Sequence, residues 1–271
     1  MKLAINQATL MKTPIDVFLE AISKAGFEGV ELRRDETFKY LKNNSIQDLS
    51  NLLETNKLEC ITFNAIELFS LCSEIEFQKI LDYTERLMKI GVEIGCNTII
   101  AVPSFLERAS ITEGKIIAQT VDRLRIIADI AKKYDYKVGF EPLGFPTCSV
   151  RKIDLALKII NNENLPEMGF VIDTFHYFLG EHESKDVKKI DVNKIWLIHI
   201  NDSIEKPLNQ LQDEDRVLPD DGFFDLKNFV ENLTEIGYDG WISIELFNKK
   251  MWEKDPFKVS INAMNSLKKF L

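Results

Sequence analysis

The chain has 271 residues, 45% hydrophobic and 28% charged, so it can bury a core that needs neither disulfides nor a structural metal. Acidic residues outnumber basic ones by 43 to 34, a formal charge of −9, which argues against a nucleic-acid or anionic-membrane partner. The N-terminus MKLAINQATL is too short and polar for a signal-peptide core, and no apolar run approaches about 18 residues, so the expected location is the cytoplasm. Cys60, Cys72, Cys96 and Cys148 show no C-x-x-C spacing and are expected to be reduced and structural.

In chain order, strands are expected at about 2–6, 28–33, 58–64, 97–102, 137–141, 168–172, 195–200 and 241–246. Helices are expected at about 14–25, 45–56, 75–94, 112–134, 150–162, 184–191, 225–236 and 257–270. The fourth helix shows its period plainly, with three- and four-residue spacings recurring among Ile116, Ile117, Val121, Leu124, Ile127 and Ala128. The sixth is short and strongly charged (EHESKDVKKI). One pattern recurs at 25–32, 94–102 and 236–246: a helix end, a glycine free to take positive φ, then a strand apolar enough to be covered on both faces. Eight strands alternating with eight helices predict an α/β fold, one (β/α)8 TIM-barrel domain over residues 1–271. In such a barrel polar residues at the C-terminal strand ends are read first as chemistry.

The last four strands end in Glu141, Asp173, His199 and Glu245. Any one of these could be a helix cap or a loop ion-pair partner. Four successive apolar strands each ending in a ligand-type side chain point instead to a common cation, because three carboxylates beside one imidazole repel each other without one. An oxygen-rich set with one nitrogen suits a single divalent ion, Mn²⁺ or Zn²⁺ foremost, with Mg²⁺ or Co²⁺ also fitting. His176 follows Asp173 and either holds it or donates to a substrate oxygen. His182, in GEHESK, is expected at the solvated surface. Arg216 lies in the long, charged loop 201–224, either paired with Asp213 or Asp215 or forked over substrate oxygens. Asn6, Glu31, Arg33 and Asn64 end the early strands as pocket walls, although Glu31 and Arg33 could equally form an internal salt bridge. Phe69, Pro103, Phe145, Phe175, Phe178 and Trp252 are candidates to close the pocket.

Motifs along nearly the whole chain carry a resemblance: MKLAINQAT, GVELR, FNA, AVP, FEPLGFPTCSV, VIDTFHYF, HINDS, DEDRVLPDDG and SIELF. Together they resemble the xylose isomerase-like family of sugar isomerases and epimerases, nearest to its inosose isomerase branch. The resemblance implies Glu141, Asp173, His199 and Glu245 as metal ligands and His176 and Arg216 as substrate contacts. It also implies a small polyol or sugar substrate and a homo-oligomer. Two departures stand out. The family's P-G-x-G reads Pro219-Asp220-Asp221-Gly222 here, and Phe145 stands where the branch has a histidine. The expected reaction is isomerisation of a cyclic keto-polyol, 2-keto-myo-inositol, by enediolate proton transfer between Glu141 and Glu245. Its competitors are a ketohexose 3-epimerase, a sugar isomerase and an inosose or 3-dehydroshikimate dehydratase on the same scaffold. A multi-zinc endonuclease of this fold is disfavoured by three histidines and the negative charge.

Overall fold

A computed structural model of the chain describes residues 1–106, 111–162, 165 and 168–270. Eight parallel strands close into a barrel: β1 (Lys2–Asn6), β2 (Gly29–Arg33), β3 (Glu59–Ile66), β4 (Thr98–Ala101), β5 (Lys137–Phe140), β6 (Met168–Asp173), β7 (Ile195–Ile200) and β8 (Trp241–Ile244). Each strand pairs with its sequence neighbours, and β8 pairs with β1 to complete the ring. Around them lie α1 (Ile15–Ala25), α2 (Arg34–Tyr40), α3 (Ile46–Thr55), α4 (Glu74–Ile94), α5 (Glu113–Lys133), α6 (Ile153–Ile160), α7 (Thr174–Leu179), α8 (Leu226–Glu235) and α9 (Pro256–Leu267). The expected (β/α)8 barrel is therefore the observed one.

Local chemistry explains the helix ends. Ser45 and Ser73 open α3 and α4 with reciprocal capping boxes to Asp48 and Glu76. The recurrent glycines Gly26, Gly95 and Gly237 all take positive φ, at 97°, 77° and 81°, as the repeated helix-glycine-strand pattern requires.

Strand alternation divides the core in two. Val138, Phe140, Phe170, Ile172, Ile198, Ile242 and Ile244 point outward into the layer beneath the helices. The alternate positions, Val171 and Leu197 here and Ala4, Ile61 and Ile100 on the other strands, point into the barrel as a tight apolar floor. Side chains two residues further along the same inward face emerge above that floor. Among the described residues no helix is long and apolar enough to cross a membrane.

The expected helix at 184–191 is instead a 3₁₀ turn over Ser184–Lys189, followed by another over Val192–Lys194. The reason lies in its spacing. Ser184, Val187 and Ile190 are the buried positions, three residues apart, which matches the three-residue period of a 3₁₀ helix. The preceding α7 is only six residues long and starts directly from Asp173, too short to leave an amphipathic signature.

The long loop after β7 carries its own structure. Asp202–Ser203 pairs antiparallel with Arg216–Val217, and Asp202 Oδ1 accepts from the backbone N–H of Ser203 and Phe224 at 2.8 and 2.9 Å. A Cβ at Gly222 would sit 2.2 Å from the Ser203 carbonyl oxygen, so no side chain fits there. Asp220 takes φ 74°, the left-handed conformation suited to the glycine of the related motif, and aspartate tolerates it. Its ion pair to Lys269 is exposed and contributes little. Gly222→Ala is accordingly expected to cost about 1–3 kcal/mol through overpacking. Asp220→Gly should change stability by no more than about 0.5 kcal/mol. Urea unfolding of both variants checks this, and equal losses would refute the loop's assignment.

Candidate metal centre

The inward alternation positions the site. Gly139 and Glu141, Val171 and Asp173, Leu197 and His199, and Ser243 and Glu245 are pairs two residues apart, so the second member of each stands above the barrel floor. Register sets His199 opposite Asp173 on one side and opposite Ser243 on the other, so Glu245 stands two residues further along its strand. One ligand-type atom from each of Glu141, Asp173, His199 and Glu245 lies within 4.8 Å of all the others, and all four residues are at most 3% exposed.

His199 Nδ1 faces this cluster, 3.1 Å from Glu141 Oε1, 3.4 Å from Glu245 Oε2 and 3.8 Å from Asp173 Oδ2. Its Nε2 lies 3.0 Å from Glu31 Oε2, and Ser243 Oγ donates to the other Glu31 oxygen at 2.5 Å. Glu31 therefore fixes the ring that presents Nδ1, the carboxylate–histidine arrangement that supports metal ligands. Glu245 Oε1 accepts from the amides of Asn6 and Asn64, each at 3.0 Å. Asp173 is held three ways: Oδ1 accepts from the His176 N–H at 3.1 Å, and Oδ2 from Asn201 Nδ2 at 3.0 Å and Arg216 Nη1 at 2.6 Å.

The charge balance is strained by this crowding. Burial, reinforced by Glu141 and Asp173, pushes the Glu245 carboxyl up to about 8, against the pull of His199 and Arg216. Burial disfavours the charged form of His199, yet Glu245, Glu31 and Glu141 outweigh it and raise that ring well above its ordinary range. Burial also opposes the Asp173 charge, but Arg216, His176 and His199 hold that carboxyl well below the usual carboxylate range. The donor set fits a divalent cation on chemistry and size. A cation would stabilise all three carboxylates as anions and His199 as a neutral ligand. Ligands about 2.0–2.2 Å from one ion lie at most roughly 4.4 Å apart, a few tenths of an ångström inside the observed spread.

Above the cluster opens a cavity of about 280 Å³, at the small end of ligand sites. Glu141, Glu245, His176 and Arg216 line it next to the cluster, and Arg33, Asn64, Glu67 and Asp213 are its other polar lining residues. Arg216 is fully buried. Its Nε and Nη2 donate to Asp213 Oδ1 at 3.0 and 2.9 Å, and its guanidinium lies 4.7 Å from the Phe175 ring centre. It thus combines both roles open to it from the sequence, an acid partner and a place in the pocket. Arg216 Nη2 also lies 3.1 Å from His176 Nε2. Guanidinium only donates, so His176 Nε2 accepts and the imidazole carries its proton on Nδ1. That Nδ1 is buried and has no hydrogen-bond partner among the described residues.

Several expectations are corrected by this geometry. Asn6 and Glu31 are fully buried and do not line the cavity; they hold Glu245 and His199 from below. Asn64 does line it, while also holding Glu245 and accepting from Arg33. His182 is not a solvated surface group: its Nε2 accepts from the Ile153 N–H at 3.1 Å, and its ring packs 5.0 Å from that of Tyr177. Of the aromatics expected to close the pocket, only Phe145 lines it. Phe69 and Phe175 are core, and Trp252 donates Nε1 to the Ala8 carbonyl. The cavity's other aromatics, Phe105 and Phe247, were not anticipated. Phe247 lies two residues beyond Glu245, so the same alternation could have found it. Asn201, two residues beyond His199, could have been found the same way.

A family model described as xylose isomerase-like TIM barrel matches residues 19–270. The inosose isomerase of Halalkalibacterium halodurans is 31% identical over 255 residues, which covers 93% of this chain and 90% of that one. A 3-dehydroshikimate dehydratase of Pseudomonas aeruginosa is 26% identical over 258 residues, 93% of this chain but 39% of that longer protein. Among solved structures, the IOLI protein with a bound zinc atom superposes with a TM-score of 0.94 at 30% identity, covering 100% of this chain and 98% of its own. The chain belongs to the xylose isomerase-like TIM-barrel family and is an enzyme, its metal-type ligands standing at the strand ends where this fold carries its chemistry.

Proposed function

We propose that the protein is a divalent-metal-dependent isomerase that interconverts 2-keto-myo-inositol and a keto-chiro-inositol isomer by proton transfer. The observation that carries this reading is the buried quartet Glu141, Asp173, His199 and Glu245, with two of its glutamates lining a small cavity. The inosose isomerase relatives support the choice of substrate. Zn²⁺ is the ion named for the superposing IOLI structure, and Mn²⁺ suits the three-oxygen, one-nitrogen set equally.

When bound, the cation would polarise a ketone oxygen and the adjacent hydroxyl and so acidify the C–H between them. Glu141 and Glu245 are the proposed proton-transfer pair. One removes the carbon-bound proton to give an enediolate, the hydroxyl proton passes from the old hydroxyl oxygen to the old ketone oxygen, and the other, starting protonated, delivers a proton to the former carbonyl carbon. His176 offers its unpartnered Nδ1–H to a substrate oxygen. Arg216 holds Asp173 in place and keeps His176 in the tautomer that donates.

Charge pairing favours a neutral substrate over a carboxylate-bearing one. Among the described residues that line the cavity, both guanidiniums are already matched: Arg33 by Glu67 at 2.9 Å, and Arg216 by Asp213 and Asp173. A substrate carboxylate such as that of dehydroshikimate would meet Glu67, Asp213 and both catalytic glutamates without a cationic side chain to spare.

The test is a screen of the Mn²⁺-loaded protein against inososes, ketohexoses and dehydroshikimate in D₂O, read by NMR. Conversion of the inosose with deuterium entering a product carbon is expected. Preferred turnover of a ketohexose or of dehydroshikimate, or turnover with no deuterium uptake, would refute the proposal. Glu141→Gln and Glu245→Gln are each expected to lower kcat by about 10²–10⁴-fold, the usual worth of a general acid or base. Glu31→Gln touches no cavity atom and should weaken metal affinity by about 10–100-fold, measured by competition with a chelating dye. An unchanged affinity would mean that Glu31 does not orient His199.

A further inference from the structure

Among the described residues that line the cavity, Arg33 is the one guanidinium besides Arg216, and it is held from three directions. Its Nη1 donates to Asn64 Oδ1, its Nη2 donates to Glu67 Oε1 at 2.9 Å, and its plane lies 5.3 Å from the Phe247 ring centre. The Asn64 oxygen carries no charge, so Glu67 alone matches the Arg33 cation. Arg34 also reaches Glu67, with Nη2 3.5 Å from Oε2, but it stands outside the cavity and has Asp35 as its own acid partner at 2.8 Å. The Glu67 side chain is 36% exposed and that of Arg33 only 16%. What this pair presents to a ligand is therefore the carboxylate.

A carboxylate accepts at about four lone-pair positions and donates at none. The two arginines take one position on each Glu67 oxygen, which leaves acceptors for hydroxyl donors. Such bonds to a charged acceptor are stronger than those between neutral groups. Arg33 and then Asn64 stand between Glu67 and Glu245 in a chain of hydrogen bonds, so a hydroxyl that reaches Glu67 belongs to a ring carbon outside the reacting pair. Removing Glu67 would leave a shielded guanidinium with a free edge on the cavity, a fork suited to a carboxylate. We propose that Glu67 determines specificity: it accepts a hydroxyl on the ring remote from the reacting carbons, and by occupying Arg33 it denies that guanidinium to a substrate carboxylate. The inference rests on the cyclic-polyol reading above and deepens it, naming the residue that makes the site one for a neutral, hydroxylated ring.

Two readouts test it. The Mn²⁺-loaded protein, Glu67→Ala and the double variant Arg33→Met/Glu67→Ala are titrated calorimetrically with dehydroshikimate. Turnover of 2-keto-myo-inositol and of its monodeoxy analogues, each lacking one hydroxyl outside the reacting pair, is followed by NMR. Thermal melts and dye competition establish that each variant is folded and metal-loaded. Glu67→Ala is expected to bind dehydroshikimate about tenfold more tightly than the unsubstituted protein, and the double variant should lose that gain. One monodeoxy analogue should show a KM about tenfold above that of the inosose in the unsubstituted protein, a difference that vanishes in Glu67→Ala because the acceptor is already gone. Glu67→Asp, which keeps the charge, should keep the preference for the neutral ring. No gain in dehydroshikimate binding, a gain that survives in the double variant, or a deoxy penalty unchanged in Glu67→Ala would each overturn the role of Glu67; with inosose turnover intact, the isomerase reading would stand. If the gain runs through Arg33 but the unsubstituted protein does not convert the inosose, the isomerase reading falls and the exclusion of anions by Glu67 stands.

Discussion

Three carboxylates and an imidazole buried within 4.8 Å of one another are the constraint around which this barrel is organised. Buried like charges are costly at such range, and the surrounding groups answer that cost. Asn6 and Asn64 share one oxygen of Glu245; Asn201 and Arg216 share one of Asp173; Glu31 takes the far side of His199 and is itself capped by Ser243. Donors to these groups come from β1, β3, β8 and the segment after β7, and Glu31 comes from β2. The cluster is therefore a property of the closed ring, and no isolated strand pair could hold it.

The apolar floor makes that arrangement rigid. Val171 and Leu197 lie directly below Asp173 and His199 on the same inward faces, and Gly139 lies below Glu141. A Cβ at Gly139 would come within 2.6 Å of Val171, so the floor leaves no slack under the ligands. Rigid ligands suit proton transfer, because a base displaced by an ångström loses much of its advantage. The cavity above carries the opposite property. Its walls come largely from loops that mix polar and apolar side chains: Asn64 and Glu67 stand beside Ala65 and Leu68, and Leu143 and Phe145 follow Glu141.

Much of this was legible in the sequence because it obeys a period of two. Apolar strands with outward Ile, Val and Phe give the barrel, and Glu141, Asp173, His199 and Glu245 fall at their ends. The uses of Asn6 and Glu31 were not legible. Both stand at inward positions like the ligands, and only the closed geometry shows that they lie beneath Glu245 and His199 without reaching the cavity. Arg216 was ambiguous for a similar reason, since its acidic neighbours in sequence suggested a surface pair, whereas the folded ribbon buries it against Asp173. His182 misled through its charged neighbours, α7 is too short to show a period, and 184–191 reads as an α-helix although its buried positions three residues apart make a 3₁₀ turn. Phe105 sits in a loop outside any period, and no local signal marks it.

The central claim, that four strand ends converge on one cation, is tested most directly by diffraction from crystals grown with Zn²⁺ and measured on both sides of the zinc absorption edge. One anomalous peak is predicted at about 2.0–2.2 Å from an atom each of Glu141, Asp173 and Glu245 and from His199 Nδ1. A strong peak elsewhere on the molecule with none between these four side chains would contradict the account.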